Sequence, residues 1–255
     1  MAVMHHTTRE GRLAAAVMEA ADTLTETFDT GDYLRRLADR CVELLSAWAA
    51  GIVLIDGGEA VALGGSTSGG REEVALELLA AQRNGGPCPE SYGSGRPVPP
   101  VSIGEAHAAA RWPEFTEQAL RHGVVATFAV PVRRRDALFG ALNVFVPTLP
   151  NCTSDSWRSQ LVVTQALADA AGLGLENNRA YAQSRSLAGQ LQEALSSRVR
   201  IEQAKGILAE RWQVGTDEAF SALRGHARRH RTPLDRVARA VIEGAVDDAE
   251  LRPRP

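Results

Sequence analysis

The chain has 255 residues, of which 44% are hydrophobic and 23% charged, with a formal net charge of -3. That length suits two domains rather than one, and the composition is that of a folded chain, which excludes disordered and collagen-like classes. No apolar run reaches the roughly 18 residues that a membrane helix needs. The first residues, MAVMHHTTREGRL, lack the apolar stretch and cleavage site of a secretory signal, so a cytoplasmic protein with no membrane partner is expected. Cys41, Cys88 and Cys152 are scattered and odd in number, a pattern of reduced thiols rather than of a disulfide framework.

The elements follow from periodicity. Residues 9–28 and 32–48 read as helices, the second with Leu34, Leu37, Cys41, Leu44, Leu45 and Trp48 at helical spacing and Asp32 able to cap its start. Two short strands, 50–55 and 59–63, flank Asp56-Gly57-Gly58, a hairpin signal. Residues 71–83 form a third amphipathic helix. The stretch NGGPCPESYGSGRPVPPVS is dense in Gly and Pro and reads as loop, ending in a strand near 98–103. Residues 112–122 suit a short helix, and 124–132 and 137–146 are two further strands. A long helix opens at Asp155 or Ser156 and runs past residue 190. An antiparallel sheet with helices on its faces, an α+β fold, is the economical packing of this first part.

Further along the long helix the apolar face rotates. At ~100° per residue, Leu187, Leu191, Leu195 and Val199 lie on one side, while Ile201, Ala204, Ile207, Leu208 and Trp212 lie on another. The first face suits a dimer seam or short coiled coil, with Arg198 falling at a would-be core position; packing on the preceding domain is the alternative. The second face suits the core of a small all-α module. Thr216 can cap the next helix, with its stripe Ala219, Phe220, Leu223 and Ala227. Thr232-Pro233-Leu234-Asp235 reads as cap, Pro at the first helical position and acid in the first turn of a third helix.

Charge divides the same way. Residues 1–195 carry a net -6, whereas residues 196–246 carry 10 basic and 6 acidic side chains, a net +4. A basic segment on an acidic body fits a nucleic-acid-binding module attached to another domain. All but one of the 28 basic residues are Arg, and the single Lys is Lys205, inside that segment.

Two resemblances carry these readings further. The element order over residues 12–178, the NGGPC…GRPV loop before a strand and the VPV…LFGALNVF hairpin resemble a GAF sensor domain. The string from Ser197-Arg198 through Ile201-Glu202-Gln203-Ala204-Lys205-Gly206-Ile207-Leu208, Ala219-Phe220, Leu223-Arg224 and Leu234 to Ile242 resembles an ANTAR domain, over 196–246, with 179–195 as helical linker or coiled coil. Ala209 and His226 depart from the pattern. The resemblance implies a signal-responsive transcription antiterminator that binds paired stem-loops in nascent leader RNA as a homodimer. Arg198, Glu202, Lys205, Arg228, Arg229, Arg231, Arg236 and Arg239 are the candidate RNA-binding residues: guanidinium planes contact phosphates and stack on splayed bases. Glu202, one turn from Arg198, can orient it or simply offset its charge, and the cluster 228–231 also suits the negative end of a helix.

A helix-turn-helix DNA binder also has three helices and basic residues, but the link 212–216 carries no recognition-helix pattern. The input is less legible. With Lys205 the only lysine, the Asn-Lys motif of cyclic-nucleotide GAF domains is missing, and the scattered histidines show no metal spacing. No cofactor is named by the sequence, and the signal is left as an unknown small molecule or a redox change. Cys88, in the loop over the sensor pocket, is the one candidate there: a lining or redox thiol, or the centre of a free methionine sulfoxide reductase. An enzyme would not need the basic module, so no catalytic residue is expected.

Overall fold

A computed structural model of the chain describes residues 9–25, 27–148 and 155–251; Cys152 lies outside them. Two compact units divide the chain, Met1–Tyr181 and Ala182–Pro255. The elements in order are α1 (Arg9–Ala21), α2 (Thr30–Leu45), β1 (Ala49–Asp56), β2 (Glu59–Thr67), α3 (Glu72–Ala80), α4 (Pro87–Ser94), β3 (Val98–Ser102), α5 (Ile103–Ala108), α6 (Pro113–Arg121), β4 (Ala126–Arg134), β5 (Ala137–Val146), α7 (Asp155–Trp212), α8 (Thr216–Arg229), α9 (Leu234–Ile242) and α10 (Asp248–Leu251).

In the first unit five strands form one antiparallel sheet in the order β2-β1-β5-β4-β3. Strand alternation sends Leu142, Val144 and Val146 of β5, with Phe128, Val130 and Val132 of β4, to one face. There they meet Leu34, Leu37 and Cys41 of α2 and Leu167, Ala168 and Ala171 of α7. Each large aliphatic or aromatic side chain fully buried in this way contributes about 1.5–3 kcal/mol. Tyr33 ties the layer together, its hydroxyl donating to the Ala20 carbonyl at 2.6 Å, and burial pushes that phenol upward from its ordinary range. The other face of the sheet is covered by α3, α4, α5 and α6, through Phe115 against Phe145 and through Leu79 and Cys88 near Val53 and Ala141.

Several boundaries differ from expectation, each for a local reason. α1 stops at Ala21 rather than 28, because the Thr23 hydroxyl turns inward to donate to the Gly174 carbonyl. Asp29, not Asp32, caps α2, accepting from the Asp32 amide at 2.7 Å. The Gly- and Pro-rich stretch expected to be loop contains α4, with Pro87 in the first turn where its missing N–H costs nothing. β4 begins at Ala126, two residues later than expected.

The second unit packs α7, α8 and α9 around Ala204, Leu208, Ala219, Leu223, Val237, Ala238 and Val241. The caps differ here too: Gly215 and Pro233 hold the N-cap positions of α8 and α9, and neither makes a side-chain cap bond, so Thr216 and Thr232 are not the caps. A short helix not expected from the sequence, α10, closes the unit. Leu251 is fully buried in the three-helix core, while Asp248 accepts from Arg211 at 2.8 Å and from the Trp212 indole at 2.9 Å.

Candidate nucleic-acid interface

The basic side chains of the second unit fall into three settings. Around α7, Lys205 lies about 20° from Arg198 and about 140° from Arg200, so the first two share a flank and the third faces the other way. On the first flank Lys205 is largely covered, its side chain only 16% exposed, with Nζ donating to Glu202 Oε2 at 2.8 Å. Nζ also stands 5.3 Å from the Phe220 ring centroid, and the Arg224 guanidinium approaches the same ring at 5.6 Å. Glu202 therefore pairs with Lys205 and not with Arg198, which is exposed and has no ion pair among the described residues. Phe220 flanked by two cations is a stacking surface edged with charge. Arg224, part of the family string but not among the candidate RNA-binding residues, joins this surface; its i+4 spacing from Phe220 on α8 is the signal for it.

On the opposite flank Arg200 Nε donates to Asp235 Oδ1 at 2.6 Å, both groups being partly buried. The Arg200 hydrogen bond, aided by one from Ser197, holds the Asp235 carboxyl below its ordinary range, and it raises Arg200 in turn. This pair fastens the first turn of α9 to α7. A groove opens there, lined by Gln190, Glu193, Ala194, Ser197, Pro233, Asp235 and Arg236. Arg236 and Arg239 are exposed beside it.

The third setting is the end of α8. Arg228, Arg229 and Arg231 are all exposed, and Arg231 adopts a left-handed backbone that ends the helical run. Arg229 donates to the Glu250 carbonyl at 3.0 Å, and His226, buried and stacked at 4.3 Å on His230, approaches the same carbonyl through Nδ1. The cluster thus does two things: it complements the end of the helix dipole and it anchors α10.

On α7 upstream, Leu187, Leu191, Leu195 and Val199 are 57%, 57%, 60% and 55% exposed. Four large aliphatics at successive steps of four make one apolar ridge, left open within the second unit.

In the first unit Cys88 is buried, as is Cys41. Burial pushes the Cys88 thiol well above its ordinary range and that of Cys41 up to about 12. A reactive thiol needs the opposite shift, so the structure gives no support to Cys88 as a redox or catalytic centre. Among the described residues no group of three or more His, Cys, Asp or Glu could hold a metal, and no helix is long and apolar enough to cross a membrane.

The chain thus has two parts: a sheet-based α+β unit followed by a small basic helical module. Residues 189–242 match the ANTAR domain family, and the unit before them is the antiparallel sheet with helices on its faces that was expected of the first part. Among solved structures, a cyanobacteriochrome TePixJ GAF domain is similar at 23% identity, covering 62% of this chain and 96% of that one, with a TM-score of 0.45. A GAF domain of A. aeolicus nlh2 in an inactive state is similar at 12% identity, covering 66% and 98%, with a TM-score of 0.46. A free methionine-R-sulfoxide reductase from Neisseria meningitidis is similar at 15% identity, covering 69% and 96%, with a TM-score of 0.44. No curated protein matches the chain.

Proposed function

We propose that the protein is a signal-responsive RNA-binding antiterminator of the cytoplasm, acting as a homodimer on paired stem-loops in nascent leader RNA. The observation that carries this reading is the ANTAR domain at 189–242, on whose surface Arg198, Arg228, Arg231, Arg236 and Arg239 are exposed and make no ion pair among the described residues. Guanidinium groups left free in this way suit phosphate contact and stacking on unpaired bases. Lys205, Glu202 and Arg229 belong to the same surface but are already engaged, so their part is to shape it. Leu187, Leu191 and Leu195 form the seam to a second copy, and the sheet-based unit supplies the regulating signal. Nothing in this reading requires a catalytic residue.

Titration of the full chain with tandem-hairpin RNA, single-hairpin RNA and duplex DNA tests it. Tandem RNA is expected to bind tightest, with affinity falling steeply as salt rises because phosphate contacts release counterions. Equal or tighter binding to duplex DNA overturns the RNA reading in favour of a DNA-binding regulator.

A further inference from the structure

Residues 243–251 carry four acidic side chains, Glu243, Asp247, Asp248 and Glu250, and no basic one. They follow a segment in which basic charge is in excess, so the place of these acids decides which cations remain for a partner. Gly244, at a φ of 68°, turns the chain after α9. Val246 then packs against the three-helix core, and Leu251 is fully buried in it. Two apolar anchors thus bracket Asp247, Asp248 and Glu250 and lay them over the module as a strap.

The strap meets cations from two helices. Asp248 gives both carboxylate oxygens to the last turn of α7: Oδ1 accepts from Arg211 Nη1 at 2.8 Å and Oδ2 from the Trp212 indole at 2.9 Å. Two residues on, the Glu250 carbonyl accepts from Arg229 at 3.0 Å. Residues two apart span at most about 7 Å, so the strap draws Arg211 toward the exposed cluster of Arg228, Arg229 and Arg231 at the end of α8.

A two-oxygen anion held by a guanidinium and a second N–H donor has the donor geometry that also suits a phosphate. The Arg211 and Asp248 side chains are 43% and 33% exposed, so a competing anion can reach the pair, and an ion pair this open is weak. The anchors on either side are buried in apolar surroundings, and they keep the strap in place when the carboxylate gives way.

We propose that α10 is an autoinhibitory strap, in which Asp248 occupies Arg211 as an internal stand-in for a phosphate until RNA displaces it. This rests on reading the second unit as an RNA-binding module, and it adds a regulation of that same surface. A tethered competitor acts at high effective concentration. A weakly held strand therefore leaves Arg211 with Asp248, whereas a strand already fixed by the free arginines takes Arg211 as a further phosphate contact.

The experiment titrates four full-length chains, the wild type, Asp248→Asn, Arg211→Ala and the double variant, with tandem-hairpin RNA. Heparin, a polyanion without stem-loops, is titrated beside it. Asparagine keeps the size of the side chain and an acceptor for Trp212 while removing the charge, and thermal melting checks that each variant is folded. Asp248→Asn is expected to bind RNA several-fold tighter, with a salt slope steeper by about one phosphate contact. In the Arg211→Ala background the same substitution is expected to change neither. A gain that survives without Arg211 is an effect of net charge and overturns the strap, as does the lack of any gain. A second measurement uses the wild-type chain, so it stands even where a variant does not fold. The indole N–H of Trp212, identified among the four tryptophans by Trp212→Phe, is expected to lose its hydrogen-bonded NMR shift when RNA or heparin saturates the chain. A resonance that stays in place with the polyanion bound overturns the displacement. If RNA does not bind the wild type, the RNA reading fails while the heparin titrations still decide the strap, and a chain that binds neither overturns both. RNA binding that is indifferent to Asp248 keeps the RNA reading and removes the strap.

Discussion

At the scale of single residues the structure separates side chains that the sequence placed together. Arg198 and Lys205 share a flank of α7, but Lys205 is covered by Glu202 and Phe220 while Arg198 stands free. Their substitutions should therefore differ in kind. Arg198→Ala is expected to weaken RNA binding at all sequences and lower the salt slope by about one phosphate contact, with no change in melting temperature. Lys205→Ala removes a cation held against an aromatic ring, about 0.5–1 kcal/mol, so it should lower melting temperature and affinity together. Paired thermal melts and RNA titrations check both. If Arg198→Ala leaves affinity and salt slope unchanged, that residue is not in the interface. The lone lysine was conspicuous in an Arg-rich sequence; that it is nearly buried was not, because i+3 pairing and ring contact depend on where α8 lies.

At the scale of elements, α9 and α10 are each held by contacts that give measurable handles. Asp235 accepts the Arg200 hydrogen bond, and its lowered carboxyl range fixes the sign of the pH dependence. A depressed folded pKa contributes stability that is fully present above the unfolded value, about 3.9, and is lost as pH falls through the folded value. Asp235→Asn is thus expected to protect α9 less than the wild-type chain at neutral pH, with the difference vanishing in acid. Hydrogen exchange of the α9 amides at the two pH values measures it, and a difference that persists in acid would show that the charge is not responsible. For α10, Leu251→Ala removes a fully buried side chain from a small core, a loss of about 2–5 kcal/mol. In a unit of this size that is a large share of the total, so α8 exchange should accelerate markedly. Unchanged exchange would mean that α10 is an appendage. Neither contact was legible beforehand. Only the packed core of α7, α8 and α9 makes Leu251 a core residue.

At the scale of the whole molecule the proposed dimer depends on the ridge Leu187, Leu191, Leu195 and Val199. Its steps of four follow one inclined row of the helix, not the alternating three and four of a heptad, so two copies would cross at an angle near -50° rather than coil. Leu191→Glu with Leu195→Glu is expected to yield a monomer by sedimentation. The same chain should keep its affinity for a single hairpin while losing about 10²-fold or more for tandem hairpins, the advantage of linking two sites. A dimer that survives both substitutions places the interface elsewhere. Methionine sulfoxide turnover depending on Cys88 is not expected, since burial of that thiol raises it out of the reactive range.

The sequence by itself determined what is periodic or local: five strands as short runs between turn signals, the long helix and its rotating apolar face, three helices within 196–246, the excess of basic charge after residue 196, and the ANTAR string. These are properties of neighbours along the chain, and hydrophobic period and turn chemistry encode them directly. Tertiary structure alone decided which charges remain free. Arg200 is taken by Asp235 35 residues away, Arg211 by Asp248 37 away, and Arg229 by a carbonyl 21 away. It also decided that a Gly- and Pro-rich stretch forms a helix that buries its own Cys88, and that Asn143, one polar residue in an apolar strand, lies on the face with too few partners. Hydrogen-bond satisfaction is a property of a packed neighbourhood, and a sequence cannot display it until the chain has closed around the group in question.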